Sequence, residues 1–205
     1  MLKLPKVTLV AMCSERFKDQ CQKALDYSTQ GVEFGAVKLI IKESKDVDEW
    51  CKSIVYDLGD YIDTEYALLV HPEGFVVHPE VWDDNWLKYD FIGSPFPLPQ
   101  DDFSYRDIHG TVQRVGNSVS LRSKKLLTLP KKIGMEWKPF HGYYNEDGYI
   151  SVNMRHVFEE HGCKFAPFEE ALKFGRETPL PEYTGHTFVF HKHQGVNAQY
   201  PDFEK

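Results

Sequence analysis

The stretch Tyr66–Val77, YALLVHPEGFVV, constrains this chain more than any other, because an apolar run breaks at His71-Pro72-Glu73-Gly74 and then resumes. A short apolar run bounded by turn residues predicts a strand covered on both faces. In open α/β sheets, ligands collect where such strands end at their carboxyl edge. His71 and Glu73 stand there on either side of Pro72, which stiffens the bend, while Gly74 tolerates unusual dihedrals. A His and an acid so placed can reach one bound cation. The same residues also suit a plain surface turn between two strands of a hairpin.

The flanking sequence supplies strand and helix signals in alternation. Lys6–Met12 is β-branched and apolar, and Glu15–Tyr27 follows with helical periodicity through Phe17, Cys21, Ala24 and Leu25, with Ser14 placed as its N-cap. Strand, short polar turn, helix is the opening unit of a nucleotide-binding fold. Gly31–Ile41 predicts a second strand and Asp46–Ile62 a second helix, with Val47, Trp50, Ile54, Val55 and Leu58 on its apolar stripe. After Tyr66–Val70 come a short helix or turn at Asp83–Leu87, a strand at Tyr89–Pro95, and a Pro-rich acidic loop, Ser94–Ile108, of a length usually tied to function or mobility. Ser123 is placed to cap a helix from Lys124. Tyr149–His161 reads as helix stopped by Gly162, Lys164–Pro167 as a short strand, Phe168–Gly175 as helix or turn, and Thr187–Phe190 as a last strand ending at His191-Lys192-His193. Trp82, Trp86 and Trp137 are expected in the core.

Several classes are disfavoured. With 205 residues the chain has room for one sizeable domain, expected over 1–193 with a tail at 194–205. A formal net charge of −7 and the lack of a Lys/Arg-rich run argue against a nucleic-acid surface. Neither GxGxxG nor GxxxxGK[ST] follows the first strand, which disfavours dinucleotide and P-loop sites. Cys13, Cys21, Cys51 and Cys163 lack metal or disulfide-framework spacing, so reduced thiols in a cytoplasmic compartment are expected. No run reaches membrane-spanning length.

Three segments in order, VHPEGFVVHPEVWDDNWLKYDFIGSPFP, VGNSVSLRSKKLL, and NEDG with TFVFHKH, resemble a family of short, GT-A-like glycosyltransferases of bacteria and large DNA viruses. The resemblance spans Val7 to His193. It implies an α/β fold of the GT-A, Rossmann-like type: a mixed, mostly parallel sheet flanked by helices in a single domain. It also implies a metal-dependent, inverting hexosyltransferase of glycan synthesis that moves a sugar from a nucleotide-sugar, a UDP-sugar, to a hydroxyl acceptor.

The implied roles fall on particular residues. Glu73 stands where the family has the last acid of its DxD-like motif and is expected to hold Mn²⁺ or Mg²⁺, although Glu for Asp moves the carboxylate outward. His71 takes the place of the motif's first acid or amide, next to ribose or metal. His191 resembles the late His that such enzymes return to the metal, with His193 as the alternative if the strand slips in register. Ala11, Met12 and Cys13 sit where the base and ribose are gripped, and Asn117, Ser118, Arg122 and Glu146 are expected around the donor. The Gly116–Ser123 segment is one residue shorter than the family's GNGGFSLRS and lacks its second and third glycines. Asp147 of Asn145-Glu146-Asp147 matches the family's base.

Each role has a plainer competitor. Glu73 and His191 also read as satisfied polar groups at strand ends. Asp147 doubles as a helix N-cap, Glu146 as a partner of the helix dipole, and Arg122 as an exposed residue at a helix start. The aromatic Phe140–Tyr144 run before Asp147 suits sugar stacking as well as packing. A nucleotidyltransferase and a non-catalytic nucleotide-sugar-binding module are the alternative functions.

Overall fold

The structure is a computed structural model and describes residues 1–138 and 145–191. The aromatic run 140–144, His193 and the expected tail 194–205 lie outside the described residues.

Five strands form the main sheet: β1 (Leu2–Cys13), β2 (Val32–Ile41), β3 (Tyr66–Leu69), β5 (Phe91–Pro95) and β6 (Val115–Ser123). Their order is β2-β1-β3-β6-β5. β2 and β3 both run parallel to β1, and β6 is antiparallel to β3 and to β5. Four of the five strands therefore point one way with β6 reversed, the mixed and mostly parallel sheet expected from the sequence. Three short strands, β4 (Gly74–Val76), β7 (Gly175–Arg176) and β8 (Val189–His191), build a second sheet in the order β4-β8-β7, which the sequence pattern did not announce.

The central strands are apolar at nearly every position because both faces are covered. Leu9, Ala11 and Cys13 of β1 join Leu68 of β3 in one core cluster with Cys21 and Leu25 of helix α1 (Lys18–Ser28). The intervening Val10 and Met12 join Ala67 and Leu69 in another, with Ile54 of α2 (Val47–Tyr56) and Leu127 of α3 (Lys124–Ile133). Strand period two thus sends alternate residues to opposite layers, and no amphipathic alternation survives in the sequence. At the β1–β2 edge the register shifts between Leu4 and Thr8, beside Pro5. A Cβ on Gly35 would meet the Pro5 carbonyl oxygen at 2.2 Å, so only glycine fits there.

Side-chain caps start two of the helices, α2 and α3. Asp46 accepts from Glu49 N at 2.8 Å to start α2, Ser123 accepts from Leu126 N at 3.1 Å to start α3, and Gly134 closes α3 with a left-handed φ of 64°. Ser14 does not cap a helix: its Oγ accepts from Ser44 N and contacts Ser44 Oγ, both at 3.2 Å. The expected helix Asp46–Ile62 breaks after Tyr56 and continues as a tight turn, Leu58–Tyr61.

Tyr149–His161 is interrupted too. One turn, α4 (Glu146–Gly148), runs into a widened turn, Tyr149–Asn153, before α5 (Arg155–Glu160). All five residues of the widened turn are buried, so packing on every side overrides regular helix geometry. Lys164–Pro167 contributes only a single bridge, Phe165 to Phe91, and α6 (Phe168–Phe174) follows. Trp86 is wholly buried, while Trp82 and Trp137 pack partly buried against the core. No helix among the described residues is long and apolar enough to cross a membrane.

Candidate functional site

His71–Gly74 is a tight turn at the end of a central strand. His71 N donates to Gly74 O at 3.0 Å and Gly74 N to His71 O at 2.9 Å, which closes a two-residue turn over Pro72 and Glu73. The turn also ends β3 at the carboxyl edge of the main sheet and hands the chain to β4 of the second sheet. β4 pairs antiparallel with β8, placing Gly74 opposite His191. Two segments far apart in sequence thereby meet at one point.

That point borders a cleft of about 960 Å³ over the carboxyl ends of β1 and β3. Met12, Cys13, His71, Glu73, Ser118, Glu146 and His191 all line it, so most of the sequence-predicted site is brought together. Ala11 is wholly buried in the core beneath, and Asn117, Arg122 and Asp147 stand behind the wall. No residue of the Ser94–Ile108 loop lines the cleft; Phe96 there stacks on Tyr105 with ring centroids 4.4 Å apart.

Arg122 is corrected by the structure. It is neither exposed at a helix start nor open to a phosphate: its side chain is fully buried on β6, and Nη2 donates to Glu146 Oε1 at 2.8 Å and Nε to Ser120 Oγ at 2.8 Å. Glu146 accepts in addition from Ser118 Oγ at 2.8 Å, and Cys51 Sγ lies 3.8 Å away. Two charges taken out of water need partners this close, so the guanidinium is the internal counter-ion of Glu146. Glu146 still shows one side to the cleft.

Asn117 is the hinge of the arrangement. It holds a left-handed φ of 79°, a conformation Asn tolerates better than most residues, at the place where the resembled motif is rich in glycine. Its backbone N donates to Asp147 Oδ2 at 3.0 Å, and its side-chain Nδ2 lies 3.0 Å from His191 Nδ1. His191 Nδ1 is also 2.9 Å from Glu177 Oε1. An imidazole held by a carboxylate at one nitrogen presents the other outward, the usual support for a metal-binding His.

The electrostatics are crowded with acid. Burial, then the charge of Glu146, raises the Asp147 carboxyl to about 7, with Glu177 adding to the effect and Arg122 opposing it. Burial, then repulsion from His191, holds His71 well below the ordinary imidazole range. Its ring meets His191 edge-on with centroids 4.6 Å apart, and its Nδ1 accepts from Glu73 N at 3.4 Å within the turn. Burial also raises the Cys13, Cys21 and Cys51 thiols along the cleft, so none is a ready nucleophile. All four cysteines are free and buried.

The ligand atoms of His71, Glu73 and His191 do not close into a trio within 4.8 Å of one another. As placed they therefore do not all reach one ion, since donors on an ion with bonds of about 2.0–2.2 Å lie within roughly 4.4 Å of one another; a carboxylate with one imidazole is a donor pair that Mn²⁺ accepts. Three features escaped the sequence reading, two of them on the cleft wall. Trp50, expected only on a core stripe, lines the cleft and is pinned by Nε1 to Met12 O at 2.8 Å. Arg16 stacks over Phe17 at 4.6 Å beside it. Glu177 lies just past β7, in a segment with no periodicity or motif to mark it.

The crystal structure of a glycosyltransferase involved in the glycosylation of the major capsid of PBCV-1 aligns with a TM-score of 0.57 at 11% identity, over 90% of this chain and 91% of that one. At that identity the likeness is one of fold, and the protein has a glycosyltransferase-like α/β fold. Residues 40–191 match the family described as protein of unknown function (DUF5672), and the chain belongs to that family. No curated protein matches it.

Proposed function

We propose that the cleft binds a nucleotide-sugar, a UDP-sugar, with a divalent cation, Mn²⁺ or Mg²⁺, held by Glu73 and His191 with His71 beside them. On this reading the protein is an inverting hexosyltransferase that moves the sugar to a hydroxyl acceptor in glycan synthesis. The observation that carries it is the β4–β8 register, which sets Gly74 opposite His191 at the mouth of the cleft. The volume suits a ligand of that size.

The charge balance points the same way. Asp147 is raised by burial first and then by the charges of Glu146 and Glu177, which Arg122 only partly offsets. A bound divalent ion supplies stabilisation of the charge that gathers on a departing diphosphate. His191, steadied through Nδ1 by Glu177, offers its other nitrogen, and Glu73 offers a carboxylate from the exposed turn. Asp147, with Oδ2 fixed by the Asn117 N–H, takes the proton of the attacking hydroxyl. A binding module without turnover is the second reading, favoured by the position of Asp147 behind the cleft wall.

Calorimetry of UDP binding, with Mn²⁺ or with chelator, tests the reading on the wild type, Glu73→Gln and His191→Ala. Binding that needs the ion and weakens in both variants is expected. Equal, metal-independent binding in all three proteins removes the cation from the site and with it most of the case for the transferase. Release of free UDP from a UDP-sugar separates a transferase from a binding module.

A further inference from the structure

The stretch that ends at the cleft repeats itself: His71-Pro72-Glu73 stands before β4 and His78-Pro79-Glu80 after it. At the outer end, Val77 N and His78 N both donate to Phe188 O, at 2.9 and 3.3 Å. This continuation of the β4–β8 pairing brings His78 beside His186. Their rings stack with centroids 4.1 Å apart and planes 9° from parallel. Glu80 reaches both: its Oε1 lies 3.2 Å from His78 Nδ1 and 3.9 Å from His186 Nδ1. One ligand atom from each of the three lies within 4.8 Å of the other two, the sole such trio of His, Cys, Asp or Glu among the described residues.

From this geometry we propose that His78, Glu80 and His186 form a surface site for a divalent transition-metal ion, with Zn²⁺ the ion the donor set fits best. A tetrahedral ion with bonds of about 2.0–2.1 Å sets its ligand atoms roughly 3.3 Å apart. The two gaps to Glu80 bracket that separation, and the stacked imidazoles turn about their side-chain torsions to aim both in-plane lone pairs at the ion. Two imidazoles and one carboxylate are the nitrogen and oxygen donors that Zn²⁺ accepts, with water in the fourth position.

The backbones that carry the ligands are already fixed, so little ordering remains for the ion to impose. Val81 N donates to His78 O at 3.0 Å, and Pro79 sets the first position of the turn. Tyr183 Oη donates to His186 O at 3.0 Å, and the adjoining Phe188 is wholly buried against Trp82 and Trp86. The ligand side chains remain at the surface, where an ion reaches them directly. Bound there, it cross-links the segments that lead out of β4 and into β8. This site does not depend on the reading of the cleft, which lies about 15 Å away along the extended chain.

The test titrates the chelator-stripped full chain with Zn²⁺ alone by calorimetry and with Co²⁺ by visible absorption. Proteins compared are the wild type, His78→Ala, His186→Ala, Glu80→Gln and the double variant Glu73→Gln/His191→Ala. One Zn²⁺ equivalent, with a Co²⁺ spectrum of tetrahedral intensity, is expected in the wild type and in the double variant. That equivalent weakens by at least about tenfold in either His variant. Equal melting temperatures in chelator confirm that the exposed substitutions leave the fold intact. The proposal is overturned if the wild type takes up no Zn²⁺, if both His variants bind as the wild type does, or if the equivalent disappears in Glu73→Gln/His191→Ala instead.

Discussion

The two ends of the β4–β8 ladder carry the same chemistry in different surroundings. Each has a His-Pro-Glu triplet on one side and a histidine on the other: His71, Glu73 and His191 at the cleft, His78, Glu80 and His186 outside it. At the outer end the three side chains contact one another and face solvent. At the cleft end His191 is held from behind by Asn117 and Glu177, and these lead to Asp147, Glu146 and buried Arg122. Identical residues therefore make a self-contained surface cluster in one place and the tip of a buried polar network in the other. The difference lies in what stands behind each histidine, which a local motif does not encode.

The largest expected difference is in stability. Arg122→Met leaves Glu146 buried without its counter-ion, and the protein should lose about 3–5 kcal/mol. Glu80→Gln at the outer end should change stability by less than about 0.5 kcal/mol in chelator, because exposed pairs contribute little. Urea titrations of both variants check this, and a mild Arg122→Met would mean that the cleft network is no more structural than the surface cluster. The next effect is catalytic. Asp147→Asn keeps the size and an acceptor for the Asn117 N–H but removes the basic group, so transfer should fall by about 10²-fold or more with donor affinity near normal. Unchanged transfer reassigns Asp147 to a structural role at the start of α4.

Much of the fold was legible because covered strands and capped helices leave local signatures. Tyr66–Val70, the start of a helix at Asp46, the Ser123 cap and the Gly162 stop lie within a residue or so of where the sequence puts them. Of the second sheet, β8 was legible in the expected strand Thr187–Phe190 and β4 in the strand resuming after Gly74, whereas β7 and the pairing of the three were not, because two- and three-residue strands are defined by their partners. At the cleft, the strand end that carries His71 and Glu73 was readable as a place in the fold. Arg122 was misread because its position before a helix suggests exposure, whereas its place on a strand with both neighbours paired buries it. Glu177 gave no signal, because its role depends on β7 lying beside β8.

A further expected effect sets the cleft end apart by pH. In the metal-free protein the Asp147 carboxyl is raised from an ordinary 3.8 to about 7, by burial first and then by Glu146. The folded state thus binds the Asp147 proton more tightly than the unfolded chain does. This contribution to stability is complete below the unfolded value and is lost as pH rises through the folded one. Wild-type stability should therefore fall through this group across the window between the two values, and an amide at the same place has no proton to lose. Asp147→Asn should accordingly gain on the wild type as pH rises from about 4 to about 7, and hold a constant margin above that. Thermal melts in chelator across the range measure the difference between the two proteins, so every other titrating group cancels to first order. A margin that stays flat with pH would mean that Asp147 ionises as an ordinary surface carboxylate does. The crowding of acid behind His191, and the need for a cation in front of it, would then lose their support.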